Sequence, residues 1–150
     1  MAKRRVLVVD DEPSILKLVA TRLSLAGCEV SVAMDGPSAL AKVLEAPPEL
    51  IILDVMLPKM NGYEVCKAIK ENAQSKQIPV IMFTALRDEQ DYWKAMSCGA
   101  DAFLTKPYKA EDLEQLVNRL IGALDADGAG RKPAGGPDGP AQPSPAQPGE

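Results

Sequence analysis

Short apolar runs alternate with stretches of helical period along the first 124 residues of the chain. The runs cover residues 5–10 (RVLVVD), 28–34 (CEVSVAM), 49–54 (ELIILD), 79–84 (PVIMFT) and 101–105 (DAFLT). They are rich in Val, Ile and Phe and too short for helices, so they predict strands. The intervening stretches 13–26, 37–45, 62–71, 89–97 and 110–124 predict helices. In the first and last of these, Ile15, Leu18, Val19, Leu23 and Leu113, Leu116, Val117, Leu120 each mark one buried stripe. On the fourth, Tyr92, Ala95, Met96 and Gly99 follow the buried spacing, with Trp93 at the edge of the stripe. Core packing is expected for Tyr92 and Trp93; the competing reading makes Trp93 part of a partner surface. Asp35 before Gly36-Pro37, and Asn61 three residues before Glu64, predict helix caps.

Strand and helix alternate strictly, which predicts an α/β fold: a doubly wound, five-stranded parallel sheet with helices on both faces. The central runs are apolar on both sides, as strands covered twice must be, whereas CEVSVAM alternates like an edge strand. In such a sheet, ligands bind outside the carboxyl ends of the strands.

Composition changes near Leu124. Residues 125–150 hold six glycines and six prolines and no large apolar side chain, which predicts a disordered tail beside a single domain over residues 1–124. The net charge of −4 divides evenly between domain and tail. It gives no electrostatic reason to expect direct nucleic-acid binding or an anionic membrane surface. The apolar stretch after the basic N-terminus covers only Val6 to Val9, far short of a membrane span or signal core. Cys28, Cys66 and Cys98 are odd in number, widely spaced and accompanied by no histidine, which argues against a disulfide framework and against zinc and predicts reduced thiols in the cytoplasm. Without histidine, chemistry has to run on carboxylates, hydroxyls and lysine.

Read at their carboxyl ends, the strands offer Asp10 and Asp11 after the first, Asp54 after the third, Thr84 after the fourth and Lys106 after the fifth. Two like charges about 4 Å apart repel by roughly 4 kcal/mol at an effective dielectric of about 20, so gathered aspartates call for compensation. A hard divalent cation provides it, and an all-oxygen donor set suits Mg²⁺. Thr84 and Lys106 add a hydroxyl donor and a point positive charge, both fitted to a phosphoryl group. The segment DDEPS stands where a nucleotide-binding fold would carry a glycine-rich loop, which disfavours a nucleotide site. The remaining candidate nucleophile is a carboxylate that would form an aspartyl phosphate, with Asp54 the strongest choice.

The segments VLVVDDEPSI, IILDVMLPKMNGYEV, PVIMFTA and GADAFLTKPY together resemble the receiver domain of two-component response regulators over about residues 4–123. The resemblance implies the flavodoxin-like (βα)5 fold with strand order 2-1-3-4-5. It implies Asp54 as phosphoacceptor, Asp11 as a direct Mg²⁺ ligand, Asp10 as a metal-site carboxylate acting through water, and the Met56 backbone carbonyl as a further ligand. Thr84 and Lys106 would bind phosphoryl oxygens, the Lys106-Pro107 bond would be cis, and Phe103 would be the aromatic that moves with Thr84. Met56 and Leu86 fall where family members differ in hydrolysis rate; both are apolar, which predicts a long-lived phosphoryl group. Glu12, Asp88, Asp91 and Asp101 read as ordinary surface or helix-end charges.

With only the tail after the fifth helix, the chain is expected to be a stand-alone, chemotaxis-regulator-like signalling switch and not an enzyme in its own right. A sensor histidine kinase or histidine phosphotransfer protein would supply the phosphoryl group. A downstream protein would read the surface of the fourth helix, fifth strand and fifth helix, in a monomer or a phosphorylation-dependent dimer. Two alternatives differ in class. A phosphohydrolase working through an aspartyl phosphate usually carries a second Asp two residues after the nucleophile, where Met56 stands here. A non-phosphorylated scaffold has no use for Asp11, Thr84 and Lys106.

Overall fold

A computed structural model describes residues 4–84, 89–105 and 109–127. Five strands alternate with five helices: β1 (Arg5–Val9), α1 (Pro13–Leu25), β2 (Glu29–Ala33), α2 (Gly36–Glu45), β3 (Leu50–Asp54), α3 (Gly62–Glu71), β4 (Val80–Thr84), α4 (Glu89–Ser97), β5 (Ala102–Thr105) and α5 (Ala110–Asp127). The strands form one parallel sheet in the order β2-β1-β3-β4-β5. Every predicted element is present, with boundaries one residue from expectation at most ends. The exception is α5, which continues three residues past Leu124 through residues 125–127, a stretch without glycine or proline.

The two-residue period of the strands divides the core between the sheet's faces. On one face Val6, Val8, Leu50, Ile52, Ile81 and Phe83 pack with Leu16, Val19 and Leu23 of α1 and Leu113, Leu116 and Val117 of α5. On the other, Leu7, Val9, Ile51, Leu53, Val80 and Met82 pack with Ala39 and Val43 of α2 and Val65, Cys66 and Ile69 of α3. β3 and β4 are buried along their whole length, which is why their sequences show no alternation. β2 lies at the edge and is largely exposed; Lys42 of α2 reaches over it, its Nζ 2.6 Å from the Val32 carbonyl, and so blunts the open edge.

Both predicted caps form. Asp35 accepts from the Ser38 amide at 2.7 Å, and that bond, more than the small burial opposing it, holds its carboxyl below the ordinary range. Asn61 and Glu64 make a reciprocal capping box, each side chain accepting from the other's backbone amide at 3.0 Å. The helical stripes are less accurate. Leu18 is 54% exposed, and the buried line of α1 runs through Leu16 instead, with Ile15 partly covered. A phase chosen on Val19 and Leu23 fits either neighbour, and only the sheet's position decides. On α4 the core expectation fails for Trp93, which is 60% exposed, and for Met96, also exposed; Ala95 alone is buried among that helix's residues.

Asp101 is more than a surface charge. It accepts from Lys70 Nζ at 2.7 Å and from the Val80 amide at 2.8 Å, tying α3 to the start of β4. The three cysteines are free and buried. The Cys66 thiol donates to the Cys98 carbonyl at 3.3 Å, and its hydrogen bonding with Cys98 together with burial holds it far above the usual thiol range.

Candidate functional site

Register brings the sequence-distant acids together. Val9 pairs with Leu53, so Asp10 leaves β1 on the rung where β3 ends at Asp54, and Asp54 pairs in turn with Phe83, one residue before Thr84. Parallel pairing puts all these ends on one edge of the sheet. One carboxylate oxygen from each of Asp10, Asp11 and Asp54 lies within 4.8 Å of the others. Asp10, Asp54 and Thr84 are buried, Asp54 to 2% exposure, while Asp11 faces solvent. The pocket is therefore lined by two buried acids and opened by a third.

The carboxylates are oriented by the backbone that follows them. Asp10 Oδ1 accepts from the Glu12 amide at 2.9 Å, and Asp54 Oδ2 accepts from the Met56 amide at 3.1 Å. Asn and Asp side chains favour such bonds two residues ahead, and they fix the rotamer. The Met56 amide thus stands beside Asp54, and the Met56 side chain is 71% exposed. Behind Asp54 the chain turns back through Lys59, which adopts a left-handed φ of 71° and pairs with Asp35 at 3.5 Å. α3 then begins against β3. Gly62 donates to the Val55 carbonyl at 2.8 Å, and a Cβ at Gly62 would stand 2.2 Å from the Asp54 carbonyl oxygen. Only a residue with no side chain permits that approach.

An all-oxygen triad of this size, with no histidine or cysteine in it, has the donor chemistry of a hard cation such as Mg²⁺ and not of zinc. Phe103 pairs with Met82 on β4 and is partly buried against the α2/α3 face of the core. Lys106, Pro107 and Leu86 lie outside the described residues, as does the tail from residue 128. One neighbour of the site was not legible in the sequence: Tyr63, whose hydroxyl is 3.3 Å from Thr84 Oγ1. No periodicity or motif spacing links a first-turn tyrosine on α3 to the end of β4.

Residues 6–118 match the family model of the response regulator receiver domain. The chain belongs to that family. The receiver shares its fold with the signal receiver domain of a signal transduction histidine kinase from Syntrophus aciditrophicus, at a TM-score of 0.80 and 32% identity, covering 86% of this chain and 98% of that one. It is also similar to the receiver domain of a sensor histidine kinase from Pseudomonas aeruginosa, solved with a magnesium ion coordinated in its active site cleft (TM-score 0.75, 26% identity, 81% of this chain and 99% of that one). Among curated proteins, it is 40% identical over 121 residues to the DNA-binding dual master transcriptional regulator RpaA of Synechocystis, covering 81% of this chain and 50% of RpaA. The chain spans about half the length of the curated relatives it matches. The receiver fold of the response-regulator family is therefore that of this chain. Among the described residues no helix is long and apolar enough to cross a membrane.

Proposed function

We propose that this receiver takes a phosphoryl group from a phosphohistidine of a sensor histidine kinase or phosphotransfer protein onto Asp54, in the cytoplasm and with Mg²⁺. The observation that carries the reading is the triad of Asp10, Asp11 and Asp54 at the carboxyl edge of the sheet, with Thr84 at the end of the adjacent strand. In the transfer, an Asp54 carboxylate oxygen bonds to phosphorus, the phosphorus–nitrogen bond breaks, and the imidazole leaves with its electron pair. A carboxylate nucleophile needs no general base to attack phosphorus. Asp10, Asp11, Asp54 and the Met56 carbonyl would hold the cation, which when bound offsets charge between two anionic reactants. The Met56 amide aims the carboxylate. Thr84 donates its hydroxyl proton to a phosphoryl oxygen, and Lys106 places a positive charge on the transferring group.

Output follows from exposure. Trp93 and Met96 lie uncovered on α4, and an apolar pair of that size on a helix beside the site supports a protein partner that reads the phosphorylated state. The direct test is incubation with a small phosphodonor such as acetyl phosphate plus Mg²⁺, followed by intact mass. Wild type should gain one phosphoryl group and lose the gain when EDTA is present; Asp54→Asn should gain none. Equal labelling of the two proteins would refute Asp54 as acceptor.

A further inference from the structure

Thr84 touches more than the acidic pocket. Its Oγ1 lies 3.3 Å from the hydroxyl of Tyr63, and that same hydroxyl lies 3.4 Å from the backbone carbonyl of Asp91 on α4. Tyr63 follows Gly62, the residue clamped onto the Asp54 carbonyl, so the phenol ring is carried by the most firmly placed turn near the site. It packs against the α2/α3 core, and Thr84 falls in strand phase with Met82 on that face. One hydroxyl therefore bridges the end of β4 and a helix that buries only Ala95.

Proton counting makes the bridge conditional. The Asp91 carbonyl can only accept, so Tyr63 gives it its one hydroxyl proton and receives the proton of Thr84. A phosphoryl oxygen on Asp54 also only accepts. Once Thr84 turns its proton there, Thr84 Oγ1 no longer donates to Tyr63 and instead competes with the Asp91 carbonyl for the Tyr63 proton, which weakens the link to α4. Both links are long for O–H···O bonds, so partner exchange costs little.

We propose that Tyr63 is a positioning residue that couples Thr84 to α4, holding the helix in the unphosphorylated state and releasing it when Thr84 engages a phosphoryl group. The inference rests on Asp54 being the phosphoacceptor. Phe103, which has no hydroxyl, cannot make this connection.

The test is amide hydrogen exchange of α4 in full-length wild type, Tyr63→Phe and Thr84→Val, with and without acetyl phosphate and Mg²⁺, alongside intact mass. Tyr63→Phe keeps the ring and removes the bridge. Its resting α4 should exchange about two- to tenfold faster than that of resting wild type, the range of one net hydrogen bond, and the phosphodonor should change it little further. Thr84→Val keeps the bond from Tyr63 to Asp91, so its α4 should stay at the resting wild-type rate under both conditions. If mass shows phosphorylated wild type and Tyr63→Phe, yet their α4 exchange is the same at rest and after labelling, the coupling role is refuted while the phosphoacceptor reading stands. If wild type takes no phosphoryl group, that reading fails, and equal resting exchange in the two proteins would still refute the bridge. Fluorescence of Trp93, the single tryptophan, gives an independent readout of α4 in the same samples.

Discussion

Two helices flank the acidic edge of the sheet, and they are held very differently. α3 is fixed at its start by a capping box and by Gly62 against the Asp54 carbonyl, and along its length by buried Val65, Cys66 and Ile69. Lys70 ties its last turn to Asp101 and to the Ile78 carbonyl, both at 2.7 Å. α4 buries Ala95 and leaves Trp93 and Met96 in solvent. Elements with few buried apolar contacts open most readily, and a switch has to draw its moving part from that class. On the proposed function, the receiver separates two tasks: α3 keeps the Asp54 carboxylate in place, and the more weakly packed α4 reports on its phosphorylation.

A large effect that bears on this contrast is expected at Gly62. Gly62→Ala forces a methyl group against backbone and should destabilise the fold by about 3 kcal/mol, the upper part of the overpacking range, as measured by chemical denaturation. Ile69→Ala, which empties part of the α3 core, should cost about 2–5 kcal/mol. Met96→Ala on α4 should fall within about 0.5 kcal/mol of wild type. If Met96→Ala cost as much as Ile69→Ala, α4 would be as firmly packed as α3 and the contrast would be lost.

How far this contrast was legible depends on the kind of interaction. Strand and helix positions came through because both-face burial and the 3.6-residue period leave their mark in the sequence. The caps at Asp35 and Asn61 came through because they are local. The acidic cluster was legible because parallel strands deliver their ends to one edge, while the strand order and the roles expected of Phe103, Thr84 and Lys106 came from the family resemblance. Contacts between polar residues far apart in sequence left no trace: Lys70 with Asp101, or Tyr63 with Thr84. The exposure of Leu18 and Trp93 was misread because a short helix fits more than one phase, and the sheet selects among them.

A small effect serves as a control remote from both helices' contacts with the site. At the amino edge, burial pushes the Glu49 carboxyl up, but donation from the Arg5 amide at 2.9 Å and the Arg4 guanidinium at 2.7 Å outweigh it and leave the group below its ordinary 4.5. A depressed folded-state value means stability that is fully present above the ordinary glutamate range and is lost as pH falls through the folded value. Glu49→Gln should therefore cost up to about 1 kcal/mol at neutral pH, as expected of a half-exposed pair, and the gap should close in acid. Denaturation curves at pH 7 and in the acid range check this. A gap that widened in acid would contradict the assigned direction, and a change in α4 exchange at neutral pH would show that the two helices cannot be compared in isolation.

On the proposed function, a phosphoryl group on Asp54 should move α4 and leave α3 in place. Hydrogen exchange on wild-type protein, with intact mass proving one phosphoryl group and Asp54→Asn as the unlabelled reference, tests it directly. The expected result is changed protection across residues 89–97 with protection of 62–71 unaltered. Equal changes in both helices, or none in either while Asp54 carries its phosphoryl group, would contradict it.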